Sequence, residues 1–234
     1  MSDIKFERKW AMSNSETFSI IPIKEFVERN IEGRNIIIDP FARNCKYGTE
    51  RNDLNPECDT PYHLDALDFL KMFPDNYADC VLYDPPYSLR QVSECYKGVG
   101  RQVTMETTQA SWRARHLDEI ARILKPGGIA LCFGWNSNGV GKKRNFEMKE
   151  VLIVPHGGSK NDTICTMEEK KEWQTMKSNI HRKLYRPDYF AWFMYCKHAA
   201  VNQKRFDKRQ AKRKVRRINK DELKEREDLI NEWF

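Results

Sequence analysis

The sequence predicts an α/β fold: a doubly wound, mostly parallel sheet with a hairpin at one edge and a basic helical C-terminal extension. Three observations predict it. Short buried-type apolar runs alternate with amphipathic stretches through residues 1–170. The runs break at acids, prolines and glycines, which stop strands and make turns. Positive charge is concentrated after residue 196: residues 197–234 carry 13 Lys and Arg against 7 Asp and Glu, while the rest of the chain is nearly balanced.

Residues 23–31 place Phe26, Val27 and Ile31 on one helical face and lead into the β-branched run 35–39, which ends on Asp39. Leu64, Leu67, Leu70 and Met72 recur through 63–73 as a second helix, and 75–83 rises into a second buried strand. Residues 113–124 form an amphipathic helix closed by Lys125, Pro126, Gly127 and Gly128, because proline cannot continue a helix and glycine supplies the turn; 129–133 is the third strand. The apolar runs 150–155 and 163–167 flank a turn-rich segment, 156–162, and are expected as the edge hairpin, with His156 structural in its turn. Beyond 168 the pattern weakens, although 189–195 is aromatic enough for a docking segment or one more strand. The expected organisation is a folded domain over 1–170 and an extension over 171–234.

Composition narrows the classes. With 40% hydrophobic and 12% aromatic residues the chain can fill a core, which excludes wholesale disorder. Its apolar runs fall far short of the roughly 18–20 residues that cross a bilayer, and its polar start lacks a signal-peptide core, so a soluble cytoplasmic protein is expected. The seven cysteines are scattered without a C-x-x-C pair, which fits reduced thiols and no metal site. In the extension, 197–217 holds ten basic side chains against Asp207 alone. That composition suits an arm for a polyanion; a solvated, salt-bridged helix is the other reading, since Glu222, Lys224, Glu225, Arg226 and Asp228 lie at helical pairing distances.

Ligands of an open α/β sheet bind beyond the carboxyl ends of its strands. The second strand ends in Asp84, Pro85, Pro86 and Tyr87. A plain turn is one account of the two prolines. The stronger account is a site for a planar exocyclic amine. The Asp84 carboxylate and the Pro85 carbonyl can each accept one N–H, the prolines hold both acceptors rigid, and Tyr87 offers a face for base stacking. Acceptors aimed at the amine also favour a transition state in which nitrogen gains positive charge. No G-x-G-x-x-G follows any strand end, which disfavours a nicotinamide dehydrogenase.

At this point the chain resembles the amino-methyltransferases of DNA, and more closely the adenine-specific methylases of the D-P-P-Y type found in phages and prophages. The similarity runs over 17–171. It takes in 39–44, Asn52 with Asp53, 65–67, the D-P-P-Y motif with 88–91, then 125–128, 133–137 and 156–158. The resemblance implies a Rossmann-like class I methyltransferase fold, S-adenosylmethionine as methyl donor, and the N6 amine of adenine in DNA as acceptor, in the cytoplasm of a bacterial or archaeal host. It implies that Asp39, Pro40 and Phe41 line the methionine end of the cofactor, that Asp53 bonds the ribose hydroxyls, and that Asp65, with Ala66 beside it, bonds the cofactor's adenine amine. An N-cap or turn role is the plain alternative for each aspartate. Many relatives carry a glycine where this chain has Arg43, so either cofactor binding is weak or Arg43 itself contacts the cofactor carboxylate.

A base must leave its duplex to reach Asp84, so protein must grip the strand around it. Residues 88–116 are expected as a mobile insertion that does this with Arg90, Lys97, Arg101, Arg113 and Arg115. Lys142, Lys143 and Arg144 are expected as a second basic loop on the same side. Ordinary solvated loops are the alternative for both. RNA adenine methylation, cytosine-N4 methylation of DNA, and a non-catalytic nucleic-acid-binding protein are the competing functions.

Overall fold

The computed structural model describes residues 3–104, 109–158 and 160–172. The basic arm 197–217 and the aromatic run 189–195 lie outside the described residues. In chain order the described part forms β1 (Lys5–Arg8), α1 (Ile21–Ile31), β2 (Ile37–Asp39), β3 (Glu50–Arg51), α2 (Ala66–Lys71), β4 (Ala78–Tyr83), α3 (Leu89–Gly98), α4 (Ala110–Ile123), β5 (Leu124–Gly134), β6 (Phe146–Val154) and β7 (Thr163–Lys170). The strands make one sheet in the order β1-β6-β7-β5-β4-β2-β3. Every pairing is parallel except those of β7, which runs antiparallel to both β5 and β6.

Strand alternation explains the two layers of core. Ile37, Cys80, Leu82, Leu131 and Phe133 meet Ile23, Phe26 and Val27 of α1 on one face. Their neighbours Ile38, Val81, Tyr83, Ala130 and Cys132 meet Phe69 and Leu70 of α2 and Ile120 and Ile123 of α4 on the other. A fully buried Phe26 or Phe69 contributes about 1.5–3 kcal/mol. The sheet is doubly wound as expected: the chain leaves β2 for β3 on one side, then crosses back to place β4 on the other. That reversal opens a crevice between the carboxyl ends of β2 and β4.

Two expectations about the margins need correction. The hairpin β6–β7 forms, but not at an edge. β7 lies between β5 and β6, and the outermost position belongs to β1, whose sequence KFER carries no β-branched residue and was not foreseen as a strand. An edge strand needs no second buried neighbour, so its composition gives little signal. The described residues of 88–116 are largely helical rather than a loop: they hold α3, opened by a Ser88–Gln91 capping box, and the first half of α4. His156 is structural as expected. Its Nδ1 donates to the Ala11 carbonyl at 2.8 Å and its Nε2 accepts from the Thr163 hydroxyl at 2.8 Å, pinning the hairpin to the N-terminal segment.

The stretch after β5 is held by a buried carboxylate. Glu168 of β7 accepts the backbone N–H groups of Val140 and Gly141. Gly139 has φ +54°, and a Cβ there would overlap the Glu168 carboxylate. Gly139→Ala should therefore lower stability by about 3 kcal/mol, from left-handed strain plus displacement of a buried charge, as read by the midpoint of urea unfolding.

Candidate functional site

The crevice at the switch point is lined by Pro40, Phe41, Asp53, Asp65, Ala66 and Pro86 and opens to solvent. The structure thus brings together five of the seven positions expected to hold the cofactor and one of the four in the acceptor motif. Asn52, Leu54, Leu64, Cys95, Tyr96 and Trp112 complete the walls.

Asp39 ends β2 beneath this crevice and is fully buried. One carboxylate oxygen accepts the Phe41 N–H at 3.1 Å, and the other, Oδ2, has no hydrogen-bond partner. Burial pushes its pKa up to about 8, with the charges of Asp84 and Asp53 adding to the rise and the Phe41 N–H opposing it. Asn52 fixes the floor: its Nδ2 donates to the Pro40 and Leu64 carbonyls, each at 3.1 Å, and its Oδ1 accepts the Leu64 N–H at 2.8 Å. One side chain so ties the ends of β2 and β3 to the entry of α2.

Asp53 follows β3 and accepts backbone N–H groups from Arg43 and Asn55, each at 2.9 Å. Each carboxylate oxygen retains a further lone pair for a hydroxyl. Asp65 caps α2 by accepting the Leu67 N–H at 3.0 Å, so the plain N-cap role is real, yet its second oxygen accepts the Tyr96 hydroxyl at the crevice wall. Arg43 stands in the left-handed region at φ +48°, a conformation that costs little only for glycine. The backbone path therefore survives without the glycine, and the guanidinium donates to the Ser15 carbonyl. Arg43→Gly should raise stability by about 0.5–1 kcal/mol through relief of this strain, measurable as a higher urea midpoint.

The acceptor motif begins one residue past β4. Asp84 is partly exposed and accepts the Tyr87 hydroxyl on Oδ1. Burial by surrounding protein raises its pKa, while hydrogen bonds from Tyr87 and Thr17 and the charge of Arg43 oppose the rise. The Gln91 amide oxygen accepts the N–H groups of Tyr87 at 2.8 Å and Ser88 at 3.1 Å, clamping the turn into α3. The expectation that Tyr87 presents a free face needs adjustment: its ring is half-buried and meets Trp135 edge-on, with centroids 5.8 Å apart. Trp135, exposed at the end of β5, is the aromatic with open surface here.

Sequence reasoning missed the aromatic wall behind the crevice. Tyr96 and Trp112 are buried, and His116 lies behind them with its ring centroid 4.3 Å from that of Trp112 and its Nδ1 3.1 Å from the Tyr83 hydroxyl. Burial pushes the His116 pKa down to about 4, so the imidazole is neutral. The available signal was the i,i+4 spacing of Val92 with Tyr96 and of Trp112 with His116 inside 88–116.

The basic residues divide. Arg90 is exposed and pairs with Glu94, and Lys97 and Arg101 are exposed on and after α3. Arg113 reaches over the Tyr83 ring at 5.6 Å and flanks Gly134 beside Tyr87. Lys142, Lys143 and Arg144 are not on the same side as the crevice. Only Asn145 separates them from Phe146, which pairs with Lys170 at the amino end of the sheet, opposite the strand ends that carry Asp39 and Asp84. Arg144 is spent on structure, donating to Asp118 and to the Val140 and Ala114 carbonyls.

With this geometry in place, comparison with known proteins adds one relation in sequence. A segment of 91 residues is 32% identical to the type II methyltransferase M.BamHI of Bacillus amyloliquefaciens, covering 36% of this chain and 21% of that protein. Part of the chain is homologous to a type II methyltransferase. The chain thus spans about a fifth of the length of the curated relative it matches. No family model matches. Solved structures with similar folds include the 1,6-didemethyltoxoflavin-N1-methyltransferase of Burkholderia thailandensis, at 11% identity and TM-score 0.45 over 64% of this chain and 77% of that one. They also include TrmN of Thermus thermophilus, at 16% identity and TM-score 0.42 over 64% of this chain and 49% of that one. Among the described residues, no helix is long and apolar enough to cross a membrane.

Proposed function

We propose that the protein is an S-adenosylmethionine-dependent methyltransferase acting on the N6 amine of adenine in DNA, with residues 1–170 as its catalytic domain. The observation that carries this reading is that Pro86 of the acceptor motif lines the same crevice as Asp53 and Asp65. A base amine at Asp84 and a nucleoside held by the two aspartates would therefore be neighbours. The segment homologous to a type II methyltransferase supports methyl transfer as the reaction.

The crevice fits the cofactor on its own chemistry. Asp39 Oδ2 is a buried polar atom with no partner, which a polar group of a ligand can satisfy. Asp53 and Asp65 keep lone pairs for ribose hydroxyls and an adenine amine. When bound, S-adenosylmethionine supplies a methyl carbon made electrophilic by its sulfonium. The chain's own residues then act on the acceptor. Asp84 and the Pro85 carbonyl each take one N–H of the amine, which orients the nitrogen lone pair and stabilises the positive charge that develops there. The Tyr87 hydroxyl, now on Asp84 Oδ1, must yield to the amine or share that oxygen with it. The neutral His116 is no general base for this step, and none is required: the nitrogen sheds its proton once the new bond has formed. Trp135 and Arg113 border the motif and suit stacking and phosphate contact.

Arg90, Lys97 and Arg101 on one side of the crevice, and the arm 197–217, would supply sequence-independent contacts to the phosphate backbone. RNA shares the chemistry and is the competing polymer. Incubation with labelled cofactor and duplex DNA, single-stranded DNA or RNA, followed by nucleoside mass spectrometry, tests the proposal. N6-methyladenine in DNA is expected. Label in RNA alone, or in cytosine, would replace the substrate, and no label in any polymer would remove the activity.

A further inference from the structure

The N-terminal edge of the sheet has no role in the chemistry above, and its side chains follow a pattern. Ile4, Phe6, Trp10 and Met12 are large apolar residues, each more than half exposed. All stand at even positions and so share one face of the strand, interrupted only by Arg8. The odd positions are charged and face α1: Lys5 pairs with Glu150 at 3.0 Å, Glu7 with Arg29 at 3.5 Å and Lys9 with Glu25 at 3.0 Å.

The backbone is equally divided. The N–H groups of Lys9 and Ala11 bond to the Ile153 and Pro155 carbonyls, at 3.0 and 3.2 Å, so the odd residues spend their polar groups on β6. Alternation then turns the N–H and C=O of Ile4, Phe6 and Arg8 outward. Among the described residues β1 has no neighbour on that side. The odd row carries inward charges, one of the devices that protect an edge, but no proline or bulge interrupts β1 and its outward row is apolar with free backbone groups.

We propose that β1 pairs antiparallel with β1 of a second copy of this chain, about a twofold axis through Phe6. The outward groups of the even residues require registers that place even opposite even. Centring on Phe6 sets Phe6 against Phe6, Lys5 against Glu7, Asp3 against Lys9 and Ile4 against Arg8. Every charged pair in the odd row is then of opposite sign. Sliding one copy by two residues sets Lys5 against Lys5 and Asp3 against Glu7 in one direction, or Glu7 against Glu7 in the other. Like charges directly opposite destabilise a pair, so the charges favour the Phe6-centred register over its two nearest neighbours. The result is a continuous sheet through two molecules, with the apolar rows meeting on the face away from α1.

Sedimentation of the full-length chain across the micromolar range tests this. A reversible shift toward twice the 27.8 kDa chain mass is expected. Phe6→Lys sets two cations against each other and should weaken dimerisation by at least about tenfold. At concentrations where the parent chain is monomeric its melting temperature should not change, because Phe6 is exposed in the single chain. Register is read by cross-linking, since hydrogen-bonded antiparallel partners have Cα atoms about 5.5 Å apart, within disulfide reach. Phe6→Cys should form a covalent dimer on mild oxidation, above the level given by the native cysteines. Ile4→Cys mixed with Arg8→Cys should cross-link where neither does alone. A chain that stays monomeric throughout, or a dimer indifferent to Phe6→Lys and not trapped by Phe6→Cys, would overturn the proposal.

Discussion

Asp84→Ala should bind S-adenosylmethionine within a few-fold of the parent chain and turn over about 10³-fold more slowly, the scale set by removing one preorganised electrostatic group. The two halves of this result come from different parts of the site. The crevice walls that would hold a nucleoside come from β2, β3 and α2, whereas Asp84 follows β4 and contacts Tyr87 and Thr17. Removing the carboxylate takes away one of two acceptors for the amine but leaves the crevice intact. Single-turnover rates beside a cofactor titration would separate the effects. A large loss of cofactor affinity would place Asp84 in the wrong half of the site.

The second large effect is a pH dependence owned by Asp39. Its folded-state pKa of about 8 lies above the ordinary carboxylate value, so between pH 4 and 8 the folded chain holds a proton that the unfolded chain releases. Stability contributed by this group is therefore lost as pH rises through that window. Asp39→Asn keeps the oxygen that accepts the Phe41 N–H and should flatten this part of the curve. Cofactor binding runs the other way. A cationic ligand beside Asp39 favours the ionised form, so affinity should climb by up to about tenfold per pH unit toward pH 8 and then level off. The Asn variant should lose most of that slope. Parallel affinity profiles for the two proteins would show that Asp39 does not face the ligand.

How much of this was legible in the sequence depended on how each element is buried. β2 and β4 are central strands covered on both faces, so 35–39 and 75–83 had to be apolar, and their terminal acids stood out against that background. The D-P-P-Y turn was legible for the same reason. β1 was not, because an edge strand that packs on one neighbour can be built from KFER. α3 was hidden by its exposed face: Arg90, Glu94 and Lys97 made it read as a basic loop, although Val92 and Tyr96 lie one turn apart and Ser88 with Gln91 forms a capping box. The wall of the crevice went with it. Chain order gave no warning that Lys142 and Lys143 lie at the opposite end of the sheet, since the stretch from Gly134 to Phe146 travels its full height. Arg43 shows a further limit: the absent glycine raised a question about cofactor binding, whereas the left-handed backbone at φ +48° that Arg43 adopts there had no sequence signal.

Calorimetric titration of the purified chain with S-adenosylmethionine tests most directly whether the crevice is a methyl-donor site. Saturable one-to-one binding is predicted, retained in Asp84→Ala and lost in Asp53→Ala. No heat from the parent chain, alongside intact nucleic-acid binding, would contradict it and leave a nucleic-acid-binding protein on a doubly wound sheet.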